Sequence, residues 1–209
     1  MKKQTLWIEL ILIFVFPPLF FVFDALPSSF LMPVLWLLTL YAFLHLRSTT
    51  TKLLSRDFKK EDLSFVLKRF VLMAAVMIFF VLRYTPELFL ILPKTQTLFW
   101  LSLMFIYPVL SAYLQEVLFR TFFFKRYKRL LGKNSLNLIV FNALLFSYMH
   151  IVFLNPIAIG FTFIGGLLFA HTYLKTRSTL LVSIEHALYG NTLYTIGLGY
   201  YFYHGNISI

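Results

Sequence analysis

Apolar runs long enough to cross a bilayer follow one another along almost the whole chain, separated by short polar or proline-containing breaks. A run of about twenty apolar residues matches the ~30 Å hydrocarbon core of a membrane. At that depth the backbone must satisfy its own hydrogen bonds, so only helices and closed barrels cross. The runs here are continuous instead of alternating, which selects helices. The fold class expected is therefore all-α, a polytopic transmembrane helical bundle of about seven spans in a single domain over residues 1–209. The spans fall roughly at residues 5–25, 30–46, 64–84, 97–119, 136–154, 157–174 and 179–199. Pro17-Pro18 predicts a kink in the first span. Residues 85–96, with Pro86 and Pro93 around a short apolar run, are too short to span and read as an interfacial or re-entrant piece.

Charge supports this reading and sets a direction. Only 13% of residues are charged and 60% are hydrophobic, against about 25% charged in soluble domains. The net charge of +11 could suggest nucleic acid, but the basic residues sit in the segments between spans, which argues against that partner. Lys2, Lys3, Arg47, Lys52, Arg56, Lys59 and Lys60 would share one side with Lys125, Arg126, Lys128, Arg129, Lys133, Lys175 and Arg177, and only Arg83 and Lys94 would lie opposite. That asymmetry predicts the N-terminus inside and the C-terminus outside. Lys68 and Arg69 are expected near the headgroups at the start of the third span. Lys2 and Lys3 before an apolar run resemble a signal peptide, but no small-residue cleavage site follows, so a retained first helix is expected. The absence of cysteine excludes disulfide and thiolate chemistry. The expected location is an integral multi-pass protein of a bacterial cytoplasmic membrane, with the bilayer as its surroundings.

Three spans carry polar residues that a bilayer should reject. The fourth has Gln115, Glu116 and Arg120; the fifth has Asn142 and His150, with Phe146 one turn before the histidine; the seventh has Glu185, His186 and Asn191. Intramembrane ionisable groups mark functional sites by default. Glu116 and Arg120 are four residues apart and share a helix face. Glu116 lies nine residues from Lys125, and His186 nine from Arg177, so each is ~14 Å from the inner surface at 1.5 Å per residue. His150 is about 20 Å deep by the same rise, roughly one helical turn further. Helix tilt, or an amphipathic piece around Phe122–Leu131 that shifts the entry of the fifth span, can absorb that difference, and the three groups can line one buried cavity. A carboxylate and two imidazoles around a water suit general acid–base hydrolysis. The same three side chains could hold zinc, although no HExxH pattern is present and a metal is not favoured. Taken singly, Glu116 with Arg120 also fits a structural ion pair, and His150 fits a histidine bonded to a nearby backbone carbonyl.

Together these residues resemble the CAAX-protease and bacteriocin-processing family of intramembrane endopeptidases. Its pattern is Glu-Glu-x-x-x-Arg, then Phe-x-x-x-His about 30 residues later, then His-x-x-x-Asn on a later span. The counterparts here are Gln115-Glu116-x-x-x-Arg120, Phe146-x-x-x-His150, and His186 followed by Asn191. The resemblance covers roughly residues 97–195. It implies a glutamate-type endopeptidase acting on a membrane-associated peptide or protein, with Glu116, His150 and His186 as catalytic residues. Gln115, Arg120, Phe146, Glu185 and Asn191 would support them. Two positions depart from the pattern. Gln115 stands where the family has its first glutamate, and an amide cannot accept a proton as a carboxylate does. Gly190 stands where the asparagine falls, and Asn191 is ~100° further round the helix. Either Glu116 is the base, as its place on the motif helix favours, or Glu185 supplies the carboxylate, or the chain is a catalytically inactive relative acting as a membrane-interaction or bacteriocin-immunity protein. A proton relay across the bilayer is a third class, but it requires polar groups spaced through the full depth, and these cluster.

Overall fold

The computed structural model describes residues 3–47, 53, 58–132 and 134–202. Lys2, Lys52, Arg56 and Lys133 of the charge pattern lie outside them. Every regular element among the described residues is helical. The helices are α1 (Lys3–Phe14), α2 (Phe16–Val22), α3 (Leu31–Arg47), α4 (Lys60–Tyr84), α5 (Ile91–Thr95), α6 (Thr97–Tyr107), α7 (Tyr113–Glu116), α8 (Phe123–Leu131), α9 (Ser135–Met149), α10 (Pro156–Thr176) and α11 (Thr179–Ile196). Helices α6, α7 and α8 form one continuous rod, Thr97–Leu131, joined through two π-helical stretches at Pro108–Ala112 and Val117–Phe122.

Among the described residues, six helical stretches are long and apolar enough to cross a membrane: Lys3–Val22, Ser28–Arg47, Lys60–Tyr84, Thr97–Leu131, Ser135–Phe153 and Pro156–Thr176. The seventh long helix, α11, has 18 residues and is more polar because it carries Glu185, His186 and Asn191. The chain is an all-helical, multi-pass membrane protein. Contacts give the relative directions. Thr121 meets Thr179 and Trp100 meets Thr195, so α11 runs antiparallel to the rod. Asp62 pairs with Lys175 and Phe80 packs on Phe161, so α10 runs antiparallel to α4. Trp36 reaches Leu110 and Thr39 reaches Leu114, so α3 runs parallel to the rod.

The helix ends follow local chemistry. The chain breaks between α1 and α2 where Pro17 and Pro18 occupy the first turn of α2, a position that proline tolerates because its missing N–H is unpaired there anyway. The rod continues past residue 119, where the apolar span was expected to stop. Its last turns are amphipathic: Phe123, Phe124 and Tyr127 are buried, while Lys125 and Arg129 are exposed. The Arg126 side chain donates to Glu9 on α1 at 2.9 and 2.6 Å, and the Tyr127 hydroxyl donates to the same carboxylate at 2.9 Å. Phe14 of α1 packs edge-on against Phe119, Phe123 and Tyr127. The short piece over 85–96 forms a 3-10 turn and α5 and tucks Leu88 and Leu92 inward. Gly197 ends α11 with φ +105, and its missing Cβ admits the Leu88 carbonyl.

Helices α9 and α10 approach each other backbone to backbone. A Cβ built on Gly166 would lie 2.9 Å from the Ala143 Cα and 3.0 Å from its Cβ. Small residues let backbones approach in this way, which is how helices gain packing energy without a hydrophobic driving force. Gly166→Ala is therefore expected to destabilise the bundle by about 1–3 kcal/mol. Gly160, on the same helix with nothing within 4 Å of its Cβ position, should tolerate alanine or gain from it. Thermal unfolding of the two variants in one detergent checks the contrast; equal midpoints would refute the close-approach account.

Candidate active site

The rod's π-helical stretches decide which side chains meet. In a regular α-helix a step of four residues drifts ~40°, so three such steps rotate a side chain ~120° away. Yet Tyr107, Ser111, Gln115 and Phe119 all line one cavity. Two stretches of wider π turns fall among these four positions and keep the four on one face. The wider turns also loosen backbone carbonyls, and side chains from neighbouring helices reach them. Trp36 Nε1 donates to the Leu110 carbonyl at 3.0 Å and Thr39 Oγ1 to Leu114 at 3.3 Å. Asn142 Nδ2 donates to the Phe119 carbonyl at 2.7 Å. Pro108 has no N–H to give the Met104 carbonyl, and Asn191 Nδ2 donates there at 3.1 Å.

Asn191 was expected beside the reacting groups. It faces α6 and does not line the cavity. Helix α11 is continuous through Gly190, so no bulge brings Asn191 round. Gly190 lines the cavity in its place, and the Tyr107 ring fills the space a side chain at 190 would take.

Glu116 is fully buried at the crossing of the rod with α11. Its Oε1 accepts a hydrogen bond from His186 Nδ1 at 2.8 Å, and its Oε2 lies 3.2 Å from Arg120 Nε. The Arg120 guanidinium is fully buried too, over the rings of Phe146 at 4.7 Å and Phe169 at 5.7 Å. His186 stacks on Phe169 with centroids 4.6 Å apart and meets the edges of Phe146 and Tyr107. With its Nδ1 hydrogen held by the carboxylate, the imidazole keeps Nε2 as an acceptor. His150 is arranged similarly: Nδ1 donates to the Phe146 carbonyl at 2.7 Å. The histidine ends α9, where the chain tightens into a 3-10 turn, and Asn155 fixes the following bend by accepting from the Ala158 N–H and donating to the Tyr201 carbonyl.

His150, His186 and Gln115 line a common cavity of about 540 Å³. Its other walls are largely apolar, from Leu35, Met73, Met77 and Leu168 among others. Glu116 is absent from the cavity surface and sits behind His186. Gln115 Nε2 donates to Ser111 Oγ at 2.8 Å, and its Oε1 has no partner among the described residues. The expected convergence of Glu116, His150 and His186 thus divides into a direct pair, Glu116–His186, and a second imidazole reaching the same space. No group of three or more His, Cys, Asp or Glu close enough to hold a metal ion occurs among the described residues.

Glu185 turns the other way. It is fully buried and pairs with Arg69 of α4, and both Arg69 and Thr172 donate to it. Arg69 also donates to the Leu168 carbonyl and packs on Phe65. Two readings are corrected here. Arg69, expected near the headgroups, points inward to Glu185, and Glu185 is engaged by Arg69 and Thr172 outside the cavity. The long arginine stem can carry its charge inward as readily as outward, and residue spacing does not distinguish the two. Removing one partner of a buried pair leaves an uncompensated charge. Arg69→Met should therefore cost about 3–5 kcal/mol, whereas Arg69→Met with Glu185→Leu should recover most of it. Chemical denaturation of the single and double variants tests this; additive losses would contradict a direct pair.

Residues 95–192 match the family model described as type II CAAX prenyl endopeptidase, Rce1-like. No curated protein and no solved structure matches the chain.

Proposed function

We propose that this chain, whose residues 95–192 match the Rce1-like type II CAAX prenyl endopeptidase model, belongs to that family and hydrolyses a peptide bond of a membrane-associated peptide inside the cavity described above. The observation that carries the reading is the buried Glu116–His186 hydrogen bond at 2.8 Å, with the imidazole on the cavity wall. A carboxylate behind a histidine fixes its tautomer and stabilises the imidazolium that forms when the other nitrogen takes a proton.

The steps follow from those positions. A water enters the cavity beside Gln115, whose amide cannot take a proton. His186 Nε2 removes the water's proton as the water oxygen attacks the peptide carbonyl carbon. The negative charge left on the carbonyl oxygen is carried through the tetrahedral intermediate. The carbon–nitrogen bond then breaks, and the leaving amine receives the proton from His186. His150 Nε2, on the same wall, orients the water or the departing nitrogen. Glu116 acts through His186 as a positioning residue, with Arg120 Nε 3.2 Å from its second oxygen. Gln115 in place of a carboxylate is thereby accommodated, because the histidine supplies the basic site.

A catalytically inactive membrane-interaction protein is the reading that the Gln115 position alone would favour. The two are separated by incubating the detergent-purified chain with a library of lipid-anchored peptides and reading products by mass spectrometry. The wild type and Gln115→Glu are expected to cleave. His186→Ala and Glu116→Gln should each lose about 10²–10⁴-fold in kcat. Cleavage at the wild-type rate by either variant would overturn the mechanism, and a wild type that cleaves nothing would favour the inactive scaffold.

A further inference from the structure

The proposed hydrolysis leaves a negative oxygen in the intermediate, and an effective site aims a hydrogen-bond donor at it. Asn191 cannot serve, since its amide is committed to the Met104 carbonyl. The position one turn beyond His186 on the same face of α11 is Gly190, four residues on. A Cβ placed there would lie 2.3 Å from the Tyr107 hydroxyl oxygen and 2.2 to 2.4 Å from its ring carbons. The phenol therefore occupies the volume into which a side chain at 190 would project. Tyr107 lines the cavity together with Gly190 and His186, and its ring meets His186 edge-on at 6.0 Å. Its hydroxyl makes no hydrogen bond among the described residues.

We infer that Tyr107 is a catalytic residue of this chain, its hydroxyl donating a hydrogen bond to the carbonyl oxygen as that oxygen becomes negative. The assignment rests on the endopeptidase reading. It explains three observations together. Gly190 is small because the ring needs the space. Pro108 follows Tyr107 and opens the π stretch that keeps this residue in line with Ser111 and Gln115. Tyr194, one turn beyond Gly190 on α11, packs edge-on against the ring at 5.4 Å and holds it in place. No proton is transferred to or from the phenol; it stabilises charge, and the proton path from water through His186 to the amine is unchanged.

Tyr107→Phe removes only the oxygen and keeps the ring packing. With the peptide cleaved best by the wild type, kcat is expected to fall about 10²–10³-fold while KM stays within about twofold, as for loss of one oxyanion donor. The thermal midpoint should not move. Tyr107→Ala combined with Gly190→Asn places an amide in the vacated volume and should recover activity at least about tenfold over Tyr107→Ala. A Tyr107→Phe enzyme with kcat within twofold of wild type, measured beside an inactive His186→Ala control, would overturn the assignment and leave the endopeptidase reading standing. A wild type that cleaves no peptide would overturn both.

Discussion

The bundle depends on one buried interaction: the Glu116 carboxylate held between the Arg120 guanidinium and the His186 imidazole. Removing an ion pair from water carries a large desolvation penalty, which direct Coulomb attraction offsets only with good geometry and additional contacts. Here the additional contacts are aromatic. Phe146 and Phe169 lie under the guanidinium, and Phe169 also stacks on His186. The rod, α9, α10 and α11 each contribute a side chain to this cluster. Glu116, Arg120, His186 and the two rings come together only when those four helices are in register. A similar logic operates at Arg69–Glu185, which ties α4 to α11, and at Glu9–Arg126, which ties α1 to the end of the rod.

Positioning of the cluster traces to irregular backbone. The π stretches at Pro108–Ala112 and Val117–Phe122 aim a column of residues into the cavity while Glu116 is directed at α11 and Arg120 at the rings of α9 and α10. Loosened carbonyls are intolerable in an apolar interior unless another donor reaches them. Trp36, Thr39, Asn142 and Asn191 provide those donors from three other helices. Polar residues within the spans thus serve two purposes. Some face the cavity, and others maintain the distorted helix that shapes it.

Much of this was legible in the residues alone. Spanning-length runs and the proline breaks placed the helices closely, since length and apolarity are what a bilayer constrains. The spacing of Glu116 and Arg120, and the comparable depth of His186, indicated that they could meet. What remained hidden depended on backbone irregularity and on long side chains. The π stretches have no sequence signature beyond Pro108, so neither the face of Tyr107 nor the burial of Glu116 behind His186 could be read from a regular helical wheel. Asn191 turns from the cavity because the carbonyl of Met104, four residues before Pro108, competes for its amide. The inward turn of Arg69 to Glu185 is equally hidden, because a guanidinium on a flexible stem has two directions available.

The central claim is that Glu116 fixes His186 as the Nδ1–H tautomer with Nε2 free towards the cavity. Nitrogen-15 NMR of histidine-labelled protein in nanodiscs reads this directly, with His186→Gln used to assign the resonance. The account predicts a protonated Nδ1 and an unprotonated Nε2 for His186 in the wild type, with that preference lost in Glu116→Gln. A His186 protonated at Nε2 in the wild type, or a tautomer unaffected by Glu116→Gln, would contradict it.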